Sequence, residues 1–387
     1  MKTPLMKLLS LVAVIALSAA ACGTDDGASV TNLSDADSSS ASSDSSSASS
    51  SASSSASASA PADESGEASV TVGDGGYEYV SDVDAHRLVV ADICQINDLL
   101  PTDAEIDFAA IETIYRDGVN SVNSDGSIRS IGGFASRDDR NPAHQEFFGT
   151  PTPLDDFVTA AVQGTGAFEG VADLVRRQGV AKGIQNQVMV AWTIHEFNTA
   201  LAKAADGDVE PAGGAPHNWD EAWAFYHGSE PGCSPFATGN SRAVDFGTEG
   251  SDGETAAANE LILAAMISGR DALLDGDAAG AETATDDALR GLSIIYSQAS
   301  LRYAQLVEDD LAEGDEDTAR IHQAEGWAFS RVMAPYFAEN GADMAAIDAF
   351  YNLDADPAEG GFAIVEAALQ PMWDSVGITA EDIGALS

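Results

Sequence analysis

The frame E-A/G-W-A-F occurs twice, as Glu221 to Phe225 in HNWDEAWAFYHG and as Glu325 to Phe329 in IHQAEGWAFSRV. On a helix, the tryptophan and phenylalanine of each copy take opposite sides and the glutamate falls beside its phenylalanine, which leaves little circumference for water. A charged carboxylate in such a place costs several kcal/mol if it stands alone. It must be protonated, paired or bound to a cation, and Arg302 and Arg331 are the guanidinium groups near enough in sequence to pair with it.

Each frame follows a long helix-forming stretch. Residues 183–208 (GIQNQVMVAWTIHEFNTALAKAADGD) and 293–315 (SIIYSQASLRYAQLVEDDLAEGD) align at their closing Gly-Asp pairs, which sets His195-Glu196 over Arg302-Tyr303. The chain therefore reads as two related helical hairpins. Helix-forming residues at helical spacing also fill about 168–205, 254–276, 280–313 and 316–340. Thr102 with Glu105, Thr152-Pro153-Leu154-Asp155, and Thr379 with Asp382 are helix-start signals. Apart from a short extended stretch at Val70 to Val80, strand signals are scarce. The class is mainly α: a helical bundle of two hairpin units, in one core or two lobes, with long irregular loops. The longest of these loops is 115–153, rich in Gly, Asn, Ser and Asp, and a loop of that length is a functional element or a solvated cover.

Ahead of the bundle, Lys2 and Lys7 precede the apolar run LLSLVAVIAL, and small residues lead to Cys22. Residues 1–21 thus read as a lipoprotein signal peptide, with lipid on Cys22 as the membrane attachment. Residues 22–69 then form a lipid anchor and a Ser/Ala-rich tether, too poor in apolar side chains to order itself. The folded domain is 70–387, and its expected place is extracytoplasmic, in the periplasm or at the cell surface.

The formal charge of −46 becomes −48 once Lys2 and Lys7 leave with the signal peptide, with 15 basic against 63 acidic side chains. Nucleic acid and anionic lipid faces are poor partners for such a surface, and cations are welcome. Cys94 and Cys233 remain for a disulfide, or for a metal site that lacks any CxxC or CxxH neighbour.

The hairpins also carry His195, Glu196, Glu221, Tyr226, Tyr303, His322 and Glu325, and His322 shares a helix face with Glu325. Imidazole, carboxylate and phenolate together suit a hard ion such as Fe³⁺ better than a soft metal. Catalytic patterns are missing. His195-Glu196 opens like HExxH but the fifth residue is Thr199, and there is no GxSxG elbow, Walker loop or GxGxxG fingerprint.

The stretches IYRDGVNSVNSDGSIRSIGGFAS, GVAKGIQNQVMVAWTIHEF, NWDEAWAFYHG with CSPFATGNSRAVDFGT, and EGWAFSRVMAP resemble the algal low-iron-inducible periplasmic proteins, the iron-assimilation family that includes the phytotransferrins. The resemblance implies a protein without enzymatic turnover that binds Fe³⁺ with carbonate, for capture and hand-over to a transporter or receptor. Within that reading His195, Glu221, Tyr303 and Glu325 are the first-choice ligands and Arg302 holds the carbonate. Glu196, Tyr226 and His322 stand in reserve. A tyrosine ligand would give a phenolate-to-iron band in the visible. Two rivals remain. His322-Gln323-Ala324-Glu325 also resembles the HxxE of imelysin-like proteins, for which a peptidase activity has been claimed, although Arg320 stands where that family has glycine. The other rival is a helical interaction lipoprotein whose buried glutamates pair with arginines.

Overall fold

The computed structural model describes residues 70–386. The signal peptide, Cys22 and the tether lie outside the described residues. Within them the chain is helical, and its β-structure is limited to isolated bridges such as Asp74 with Tyr77 and Val122 with Ile128. The extended stretch after Val70 forms no strand.

Helices form where helix-forming residues run uninterrupted, and punctuation sets their ends. The expected helix over 168–205 starts at Asp173 and continues through a π-helical turn, Gly183–Val188, into Met189–Ala205. That over 280–313 is Ala278–Glu313, capped by the Asp277 side chain and closed by Gly314 in the left-handed region. The expected 316–340 helix is cut in two, Glu316–Ser330 and Ala334–Glu339, with Pro335 in the first turn of the second piece. Thr379 and Asp382 form the expected reciprocal cap. Thr102 and Glu105 start no helix. Asp107, directly ahead of the apolar face that begins at Phe108, accepts from the Ala110 amide and heads Phe108–Asp117 instead.

Both hairpins are present. Met189–Ala205 packs along Ala215–Tyr226, and Ala278–Glu313 packs along Glu316–Ser330. The second long helix also lies against Ala257–Leu274 and Gly361–Val376, so it is buried along much of its length. The π turn joins the two units. Its extra residue per turn sends amides inward: Gln187 Nε2 donates to the Ala328 carbonyl (2.9 Å), and Asn186 Oδ1 accepts from Thr238 (2.8 Å) and Tyr296 (2.9 Å). The frames differ at one position, Ala222 against Gly326, and packing explains it. A Cβ on Gly326 would run into the Tyr351 ring.

The irregular segment 115–153 is largely folded. It contains the short helices Ile131–Ala135 and Pro142–Phe148. The buried Asp92 carboxylate takes the Val119 amide (3.1 Å), the Asn120 amide (2.9 Å) and the Asn120 side chain (2.6 Å), so the loop is anchored to Val89–Asp98. Cys94 and Cys233 are bonded, which fastens that same helix to the turn after Ala215–Tyr226.

Candidate functional site

Both glutamates of the repeat are buried, Glu221 at 1% exposure and Glu325 at 8%. Their surroundings differ.

Glu221 lies one turn after His217 on Ala215–Tyr226. Two imidazole nitrogens approach its Oε1 at 3.1 Å each, Nε2 of His217 and Nδ1 of His86. His86 comes from the short helix Asp84–Arg87, and its ring edges Phe225 at 5.5 Å. Nδ2 of Asn218 donates to Glu221 Oε2 (3.0 Å) and to Glu196 Oε2 (2.6 Å). Two buried carboxylates on one amide group cannot both hold their charge without positive charge close by, and the imidazoles are placed to supply it. Burial acts to lower the His217 pKa, but its bond to Glu221 and the charges of Glu221 and Asp220 outweigh this and raise it.

The neighbouring Asp220 shows a different solution to the same problem. It accepts from the Tyr77 hydroxyl (2.7 Å), the Val80 and Ser81 amides (2.9 Å each) and the Ser81 hydroxyl (2.7 Å). Because the Ser81 hydroxyl gives its proton to Asp220, His217 Nδ1, at 3.0 Å from Ser81 Oγ, must donate there. Nε2 faces the Glu221 carboxylate, which only accepts, so it carries a proton as well and the ring is an imidazolium, in keeping with its raised pKa.

His86, His217 and Glu221 line one wall of a cavity of about 550 Å³. Asp82, Asn123, Asp125 and Arg129 also line it, so the anchored loop forms its other side. Arg129 donates to the Asn123 side chain, which orients the guanidinium.

Glu325 has other company. Its Oε1 accepts from the Tyr303 hydroxyl (2.6 Å) and faces Lys182 Nζ (3.0 Å), the residue just before the π turn. Burial would push its pKa up, but Lys182, the Tyr303 hydroxyl and His322 pull it below the ordinary glutamate range. Burial and Glu325 raise the Tyr303 pKa, so this phenol stays protonated at neutral pH. A smaller cavity of about 140 Å³ borders this group, lined by Lys182, Gln185, Thr238, Arg242 and Tyr303 among others.

The expected ligands are thus drawn into two clusters. Tyr303 and Glu325 meet directly. His322 stands beside them, its ring 6.0 Å from that of Tyr303, with Nδ1 on Asp310 Oδ2 at 2.6 Å. Glu196 joins Glu221 through Asn218, and the His195 ring packs edge-on to Trp192 at 5.0 Å. Tyr226 is a core residue bonded to Asn259 Oδ1. Arg302 faces Asp245 (3.5 Å) and lines a different cavity, with Gln305 and Glu366. Among the described residues, no group of three or more His, Cys, Asp or Glu side chains is spread ready to hold a metal ion. Around Glu221 the donors touch one another at hydrogen-bond distance.

His86, Arg129 and Lys182 lie beyond the reach of sequence reasoning, since each arrives from a remote segment. His217 was within reach. Four residues before Glu221 on a helix, it shares that glutamate's face.

The fold and these clusters define a class: a helical protein whose paired helices bury hard donor groups beside a polar cavity. Within that class the chain belongs to the low iron-inducible periplasmic protein family, which matches residues 48–387. No curated protein and no solved structure matches it. The family description ties the protein to low iron and to the periplasm. No helix among the described residues is long and apolar enough to cross a membrane.

Proposed function

We propose that this protein captures ferric iron outside the cytoplasm for uptake, at the cavity walled by His86, His217 and Glu221, with carbonate as co-ligand beside Arg129. The observation that carries the reading is the convergence of two imidazole nitrogens on one buried carboxylate oxygen. In the iron-free protein, protons hold this contact together. Iron entry replaces them, because the same lone pairs serve either a proton or a metal. Two nitrogens and carboxylate oxygen leave positions for hard oxygen donors, and a bidentate carbonate held by a guanidinium would fill them. Acid would weaken binding by protonating carbonate and imidazole alike. Capture of this kind needs no turnover, and hand-over to a membrane transporter or receptor would complete it. Lipid on Cys22 would keep the protein at the membrane.

The test is titration of the full mature chain with ferric nitrilotriacetate, with and without bicarbonate. Glu221→Gln and His217→Ala are each expected to weaken binding by about a hundredfold or more, a loss of about 2.7 kcal/mol. Arg129→Gln is expected to remove the bicarbonate dependence. Unchanged affinity in Glu221→Gln would overturn the assignment.

A second reading places iron at Tyr303 and Glu325, and colour separates the two. No tyrosine is among the residues lining the larger cavity. Iron there should lack the intense visible phenolate band that a Tyr303 ligand would produce.

A further inference from the structure

Arg331 directly follows the second hairpin, and three aromatic rings surround its guanidinium. Arg87, Arg116, Arg176 and Arg290 each face an aspartate. Arg331 has aromatic faces instead: its guanidinium carbon lies 4.0 Å from the centre of the Phe148 ring, 4.7 Å from Phe157 and 5.3 Å from Trp327. Its Nε is shut off from solvent without a hydrogen-bond partner. Burial lowers its pKa to about 10, with Asp348 acting the other way, so it remains a cation at neutral pH.

This cation borders a cavity of about 700 Å³, within the usual range for small-molecule sites. Phe147, Phe148 and Trp327 provide aromatic walls, and alanines with Met344 provide apolar surface. Phe147 is 40% exposed, so the cavity opens past an aromatic edge. Asp343, Asp348 and Asp354 stand at the exposed side. The arrangement is a fork of N–H donors set among rings, with negative charge at the entrance. A fork suits a carboxylate, the rings suit a flat apolar body, and the entrance charges disfavour a second anionic group.

We infer that this cavity binds a small monocarboxylate with an aromatic or similarly flat apolar body, its carboxylate on Arg331 and its body against Trp327 and Phe148. The site is independent of iron capture, since none of its residues lines the His86–His217–Glu221 cavity.

Calorimetric titration of the full mature chain tests this with indole-3-acetate as probe, indole-3-acetamide as its neutral twin and acetate as the anion without a body. Indole-3-acetate should saturate the protein, with the amide and acetate each at least about tenfold weaker. Arg331→Gln should bring the acid down to the level of the amide and leave ferric binding unchanged. Ala345→Trp, an exposed position lining the cavity, should block all three probes. Acid and amide binding equally, Arg331→Gln binding like the parent, or no saturation by indole-3-acetate below about 10 mM would each overturn the proposal. If Arg331→Gln does not fold, the comparison of acid with amide on the parent protein decides alone.

Discussion

The two glutamates occupy the same position in the same frame, and the fold has given them opposite chemistry. Around Glu221 the positive groups are imidazoles, which lose a proton readily and can hand their lone pair to a metal. Around Glu325 the contacts are the Lys182 ammonium and the neutral Tyr303 hydroxyl, with the His322 ring farther off. One hairpin has a carboxylate whose partners can be displaced; the other has a carboxylate already neutralised in place. Burial of a charge therefore says that compensation exists, and only the identity of the partner says whether the compensation is exchangeable.

The clusters also differ in how they are assembled. Glu325 and Tyr303 lie on adjacent helices of one hairpin, whereas the first cluster gathers His86, Arg129 and Glu221 from separate parts of the chain. The Cys94–Cys233 bond ties the helix that follows His86 to the turn that follows the Glu221 helix, and Asp92 on the first of these holds the Arg129 loop. Its reduction is expected to cost about 4–5 kcal/mol, the loop-entropy value for a closure spanning 139 residues. Urea unfolding with and without dithiothreitol measures this. Hydrogen exchange on the reduced protein sharpens the comparison, because amides around His86 and Asn120 should lose protection before those of Glu316–Ser330. Uniform loss across both hairpins would break it.

Glu325→Ala removes the partner of a mostly buried ammonium and is expected to destabilise the protein by about 3 kcal/mol, with ferric affinity within about threefold of the parent. Adding Lys182→Met should restore much of that stability, since the uncompensated charge leaves with it. Glu221→Gln should behave in the reverse way, with lost iron affinity and a nearly unchanged urea midpoint. If Glu325→Ala costs affinity and Glu221→Gln costs stability, the roles assigned to the two carboxylates are exchanged.

The hairpins, the helical class and the burial of both glutamates were legible because each is a matter of periodicity within one segment. Glu325 with Tyr303 was within reach for the same reason, as neighbouring helices of one hairpin. The partners Lys182 and His86 were not. Helical spacing tells which face a residue occupies, and nothing in it tells which remote residue will face it. Arg302 shows the limit from the other side. The alignment that set it over His195 matched two helices correctly in kind, yet the guanidinium turns to Asp245. The loop 115–153 looked irregular because its order comes from Asp92, an anchor in another helix that takes three of its N–H groups.

A smaller effect distinguishes the region behind the second hairpin by its response to acid. His144 is buried, with one ring nitrogen 3.4 Å from the Val332 carbonyl, and burial together with nearby Arg331 lowers its pKa to about 4. Between that value and the ordinary 6.5, the unfolded chain binds a proton that the folded chain refuses, so stability falls as pH falls through this window. From pH 6.5 to 5 the loss from this residue is about 1.6 kcal/mol. Glu325, with its pKa held down, adds a further loss only at lower pH, below the ordinary glutamate value of 4.5. Urea midpoints collected across pH 5 to 7 on iron-free protein check the first step, and His144→Gln should flatten that slope while leaving the more acid one. A slope that persists in His144→Gln would remove this residue as its source, and His217 could not replace it, since a raised imidazole pKa adds stability as pH falls.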